Sequence, residues 1–123
     1  MYEISVESHF DAAHYLRGYQ GKCEALHGHR YKVVVTVKTT QLNDIGLAFD
    51  FTELKKRLAV TLEPFDHTCL NDLPTFEENN PSAENIASGI YEDLKGRIAD
   101  IPVTLASVGV WESPDSWVIY TPD

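Results

Sequence analysis

Two stretches of strict alternation constrain this chain more than anything else in it. From Tyr2 to Ala12, the residues Tyr2, Ile4, Val6 and Phe10 fall on one side of a two-residue period while Glu3, Ser5 and Glu7 fall on the other. That is the pattern of a strand with one face buried and one wet. A loop over 15–28, with Gly18 and Gly21, interrupts it, and Tyr31-Lys-Val-Val-Val-Thr-Val then resumes with strand-forming residues. The two strands can pair as a long-looped hairpin. Asn43, Asp44 and Gly46 mark a turn, after which Asp50 or Thr52 caps a helix carrying Leu54, Leu58 and Leu62 and stopping before Pro64. Ser82 caps a second helix with Ile86, Ile90, Tyr91 and Leu94 in one stripe, ended by Gly96 or Asp100. Two further strands, Val103–Glu112 and Trp117–Tyr120, flank a tight turn at 113–116.

Strands segregated from helices in this order predict an α+β fold, an antiparallel four-stranded sheet with both helices on one face, in a single domain over 1–123. Such a sheet has an uncovered face and open edges, which a symmetric oligomer resolves.

Composition narrows the function classes. The formal net charge of −9 opposes the counterion-release binding on which nucleic-acid proteins depend. An anionic small molecule stays compatible, because Arg17, Lys22 and Arg30 lie around the histidine segment and local cations set the field of a pocket. The apolar runs Tyr31–Val37 and Ile101–Trp111 are too short and too interrupted to cross a bilayer, and the N-terminus has no signal pattern. With only Cys23 and Cys69, reduced thiols in a cytoplasmic protein are expected.

His27-Gly28-His29 carries the chemistry. In a strand, residues i and i+2 point to one face, so both imidazoles reach one metal, and Gly28 lets the backbone come close. If the first strand lies beside the second, His14 just past its end supplies a third nitrogen. Three histidines with an open fourth position suit catalytic zinc, and imidazole also suits other divalent metals. His9 faces the other way and is not assigned to the metal. Two histidines at this spacing are, on their own, more often surface or core residues than ligands. Cys23, four residues before His27, is either a small buried hydrophobe or a thiol made reactive by a nearby dication, whereas Cys69 reads as packing. Asp66-His67, after the first helix, is either a solvated loop pair or a histidine general acid-base oriented by a carboxylate.

Phe10-Asp11-Ala12-Ala13-His14, Cys23 with His27-Gly28-His29, Asp50-Phe51 before a helix, Asp66-His67 followed by Leu70-Asn71, Pro81-Ser82-Ala83-Glu84-Asn85, and Glu112 together resemble the 6-pyruvoyl-tetrahydropterin synthase family, and within it the bacterial 6-carboxy-tetrahydropterin branch. The match runs in order along nearly the whole chain, and the three-residue gap between Cys23 and His27 is similar to that of the 6-carboxy branch. The resemblance implies the tunnelling fold, in which sheets of several subunits close a β-barrel, usually with six chains as a dimer of trimers. It implies zinc on His14, His27 and His29, with 7,8-dihydroneopterin triphosphate as substrate. The products would be 6-carboxy-tetrahydropterin, acetaldehyde and triphosphate, on the route to queuosine.

The resemblance further implies Cys23 and the Asp66-oriented His67 as acid-base groups and Glu112 as the pterin anchor, accepting two parallel hydrogen bonds. Ser82 and Glu84 are implied as further pterin contacts, although helix capping alone explains both. Glu24, directly after Cys23, is the departure that matters. Some relatives place a catalytic glutamate in this region and form 6-hydroxymethyl-7,8-dihydropterin for folate synthesis, so Glu24 is either an alternative base or a solvated loop acid. A 6-pyruvoyl product and a non-catalytic zinc- or pterin-binding module complete the alternatives.

Overall fold

The computed structural model describes residues 1–21 and 24–123. The two alternating segments become β1 (Tyr2–His14) and β2 (His27–Thr39), paired antiparallel in unbroken register from Tyr2 opposite Thr39 to His14 opposite His27. Both are longer than the apolar alternation that announces them. His14 on β1 and His27 and His29 on β2 share the side-chain parity that also holds Phe10, Tyr31, Val33 and Val35, all fully buried or nearly so. The histidine cluster is therefore the polar end of the core face.

Helix α1 (Phe51–Leu62) starts at Asp50, whose carboxylate accepts from the Thr52 N–H at 2.8 Å. Helix α2 (Ala83–Arg97) starts at Ser82, whose hydroxyl accepts from the Asn85 N–H at 3.1 Å. Each cap satisfies one of the unpaired donors of a first turn. Leu54, Leu58, Ile86, Ile90 and Leu94 are fully buried against the sheet, and burial of each side chain stabilises the fold by about 1.5–3 kcal/mol. Both helices lie on one face, α1 against β1 and α2 against β4 (Thr104–Ser113) and β5 (Ser116–Tyr120).

Among the described residues the sheet has five strands rather than four, in the order β3-β1-β2-β4-β5. The additional strand is β3 (Thr68–Cys69), which pairs parallel with β1 through Ala12 opposite Thr68 and Ala13 opposite Cys69. It arises because the chain leaving α1 turns back along the edge of β1, with the His67 N–H donating to the Asp11 carbonyl at 2.6 Å. Two residues carry no periodicity, so local pattern has no means of announcing this strand. Cys69, half-buried at this edge, is a strand residue and not part of the core. Among the described residues, no helix is long and apolar enough to cross a membrane.

Candidate metal centre and acid-base pair

The hairpin register sets His14 opposite His27, and the two-residue period adds His29 beside it. The ligand nitrogens of the three rings all lie within 4.8 Å of one another. His14 is buried at 1% exposure, and its Nδ1 lies 2.7 Å from the Pro81 carbonyl, just ahead of α2. His27 makes the corresponding contact from Nδ1 to the Ala25 carbonyl at 2.7 Å. A carbonyl only accepts, so both Nδ1 atoms carry the proton and both neutral rings present an Nε2 lone pair.

Those two Nε2 atoms stand 3.0 Å apart, and the Nε2 of His29 is buried without a hydrogen-bond partner among the described residues. Two facing lone pairs and an orphaned third nitrogen are costly alone, and a cation between them satisfies all three. The donor set fits a zinc ion. Burial, the largest influence on each, lowers the pKa of His14 and of His29, and this keeps the imidazoles in the neutral form that a metal requires.

Glu112 stands beside this cluster, its Oε1 3.8 Å from the His14 Nε2, at a bulge where the β4–β5 register shifts between Trp111 and Ser113. Its negative charge opposes the burial effect on both histidines. The structure thus brings Glu112 to the three histidines. Ser82 lies next to Pro81 and spends its hydroxyl on the helix cap, while Glu84 in the first turn of α2 is exposed.

Asp66 and His67 form a second cluster. The Asp66 carboxylate accepts from the Asp11 N–H at 2.9 Å through Oδ1 and sits 2.9 Å from the His67 Nδ1 through Oδ2. The Asp11 backbone bond, first, and the His67 side chain, second, hold the Asp66 carboxyl below the usual carboxylate range. His67 is 78% exposed and adopts a positive φ of 58°, a conformation that costs a non-glycine residue energy and tends to persist where a side chain must be aimed. Asp11 belongs to the parity of β1 opposite to His14, so its carboxylate marks the other side of the sheet; an open cleft at the β1–β3 edge is nevertheless lined by both His29 and His67.

Cys23 lies outside the described residues. Glu24, next to it, is exposed. Gly28 is not needed for close approach within the chain: a Cβ there would meet only the Ala12 carbonyl, at 3.7 Å, an ordinary contact. The cations that flank the histidine segment in sequence are directed elsewhere or not described. Arg17 donates to the Phe76 carbonyl at 2.7 Å and Arg30 faces Asp11 on the far side of the sheet, because residue 30 has the opposite strand parity to His29; Lys22 lies outside the described residues.

Sequence reasoning did not find the backbone carbonyls of Pro81 and Ala25, nor Asp11 as the holder of Asp66. It also missed two reciprocal amide clamps. Asn71 exchanges hydrogen bonds with the Tyr15 backbone at 3.0 Å each, and Asn80 does so with Arg17 at 2.8 and 2.9 Å. These fasten the loop after His14 to the segment that delivers Pro81. Their only signal is that asparagine in loops often bonds to backbone.

Fold and site define a small α+β domain whose β1–β2 hairpin and α2 N-terminus together present three histidines able to hold one metal. The chain belongs to the 6-pyruvoyl tetrahydropterin synthase family, whose model matches residues 3–123. It is 33% identical to a 6-carboxy-5,6,7,8-tetrahydropterin synthase of Bacillus subtilis, over 98% of this chain and 86% of that one. It is 36% identical to the enzyme of that name from Synechocystis, over 98% and 93%. The fold superposes on the Caenorhabditis elegans 6-pyruvoyl tetrahydropterin synthase with a TM-score of 0.90 at 27% identity, covering 99% of this chain and 96% of that one.

Proposed function

We propose that this chain is a zinc-dependent 6-carboxy-5,6,7,8-tetrahydropterin synthase, converting 7,8-dihydroneopterin triphosphate into 6-carboxy-tetrahydropterin, acetaldehyde and triphosphate for queuosine synthesis in the cytoplasm. The observation that carries it is the convergence of one ring nitrogen from each of His14, His27 and His29, with the Nδ1 atoms of His14 and His27 tied back to carbonyls. Three neutral donors on one side leave a position for substrate. Zinc bound there supplies Lewis-acid polarisation of the oxygens on the pterin side chain.

The protein's own residues do the rest. Glu112, next to the cluster, accepts the pterin amino group and the adjacent ring N–H in parallel. Cys23 as thiolate takes a proton from the side-chain carbon, and His67, oriented by Asp66, moves a proton at its Nε2. Glu84 and the Ser82 backbone at the start of α2 complete the pterin pocket. Because His67 is highly exposed and its partner Asp11 projects to the other side of the sheet, an assembly that closes the open edges is the natural setting for the complete site. We place the chain in a barrel-forming homo-oligomer, six subunits as a dimer of trimers. The exposed Trp117 and Ile119 near one sheet edge support burial of this kind.

Incubating zinc-loaded protein with dihydroneopterin triphosphate and identifying the products by mass spectrometry tests the reading. Absence of both acetaldehyde and 6-carboxy-tetrahydropterin overturns it. A second reading, cleavage to 6-hydroxymethyl-7,8-dihydropterin with Glu24 as base, draws on the exposure of Glu24 beside Ala25, whose carbonyl holds His27. The same assay separates the two, since Glu24→Gln then removes that product alone.

A further inference from the structure

The face of the sheet away from the helices carries a feature that the three-histidine centre does not use. On it, His9 of β1 stands opposite Lys32 of β2, and Lys32 opposite Trp111 of β4. The Lys32 ammonium lies 4.3 Å from the centroid of the Trp111 ring. Trp111 is itself stacked on Trp117 of β5, with centroids 5.6 Å apart and planes 15° from parallel. Gly109 supplies the room for this ring, because a Cβ there would come within 2.7 Å of Trp111 Cζ3. Lys32 comes from the strand on one side of β4 and Trp117 from the strand on the other, so the Trp111 indole is flanked by the ammonium and by the second indole.

Around this fixed cation opens a cavity of about 290 Å³ lined by His9, Arg30, Lys32, Trp111, Ser113 and Pro114. Among the described residues no ion pair engages Lys32. Among the same residues Arg30 meets Asp11 through Nη1 alone, at 3.4 Å, and its other guanidinium donors have no partner. A cation–π contact orders the lysine without neutralising it, which a carboxylate partner would do.

We propose that this pocket is a second ligand site, one that takes a chain of phosphates on Lys32 and Arg30, on the face of the sheet opposite the metal centre. The spacing selects the ligand: side chains two residues apart on a strand stand about 6.6 Å apart, so linked phosphates engage both cations more fully than a single phosphate does. With Trp111 flanked by Lys32 and Trp117, the indole is not free to stack on a ring, and recognition falls on the phosphates. In a chain with 10 Lys and Arg against 19 Asp and Glu, diffuse attraction for anions is absent, so binding here depends on the local arrangement. The inference goes beyond the synthase reading, and its binding test stands without it; only the kinetic comparison at the end rests on that reading.

The test is calorimetric titration of the purified full-length protein with inorganic triphosphate. Saturable binding is expected, weakened at least tenfold by Lys32→Gln and by Arg30→Gln, and unchanged by Lys56→Gln, which removes the same charge from the exposed face of α1. No saturable binding, or equal weakening by Lys56→Gln, overturns the site. So does binding that a chelator abolishes and Lys32→Gln leaves intact, because the metal would then be the receptor. Kinetics assign the source of the phosphates. A raised KM for dihydroneopterin triphosphate in Lys32→Gln supports a site for the substrate's own tail, and an unchanged KM with lost triphosphate binding supports a site for a separate phosphate compound.

Discussion

Acidifying the metal-free protein tests the histidine cluster most directly. His14 is 1% exposed, and burial, the dominant influence, sets its native pKa below the ordinary 6.5, against the opposing pull of the Pro81 carbonyl and of Glu112. In the unfolded chain the same imidazole takes up its proton near 6.5. Below that pH the unfolded state therefore binds more protons than the native state, and stability falls as pH falls, levelling off once the native pKa is passed. One proton corresponds to about 1.4 kcal/mol per pH unit, so moving from pH 6.5 to 5.5 costs at most about 1.4 kcal/mol through His14. That is a sizeable part of the roughly 5–15 kcal/mol by which domains are stable. His29, whose pKa burial also lowers, acts in the same direction.

The carboxyls held low by their partners, Asp66, Asp93 and Asp100, contribute stability that is lost only as pH falls through and below the ordinary 3.8, well outside this window. Urea unfolding of chelator-treated protein at pH 7.0, 6.5, 6.0 and 5.5, at constant protein concentration, reads the slope. Zinc should raise stability at pH 7 and steepen its loss on acidification, because the metal-bound native state excludes protons that the unfolded histidines still take up. His14→Gln should flatten the metal-free slope. A stability that is level or rises on acidification, or a slope unchanged in His14→Gln, refutes the argument that burial keeps His14 neutral.

Three further outcomes are expected. His67→Asn, which places another residue tolerant of positive φ at this exposed position, should change unfolding stability by less than about 0.5 kcal/mol while turnover of the pterin substrate drops at least about 100-fold. Leu58→Ala, at a fully buried position on α1, should cost about 2–5 kcal/mol in denaturant unfolding. Ser82→Ala should cost about 1 kcal/mol by the same measurement, through loss of the bond from the Asn85 N–H; a markedly larger fall in metal affinity than in stability would show that the cap also holds Pro81 against His14.

What could be read from the chain alone was whatever depends on neighbours in sequence. The two-residue period of Tyr2–Phe10 and Tyr31–Val37 places β1 and β2, and the caps at Asp50 and Ser82 place both helices, because strand parity and first-turn hydrogen bonds are properties of a few adjacent residues. The same parity puts His27 and His29 on one face. The pairing of His14 with them was legible only as a consequence of hairpin formation, and its buried bond to the Pro81 carbonyl, 67 residues away, was not legible at all. Nor was the parallel β3, the Asp11 grip on Asp66, or the Lys32–Trp111–Trp117 stack across three strands. Each of these is made by groups distant in sequence whose meeting is set by strand order and register. Local sequence decided which residues could be ligands, and the packing of the α2 N-terminus and the loop clamps against the hairpin decided which nitrogen of His14 is left for a metal.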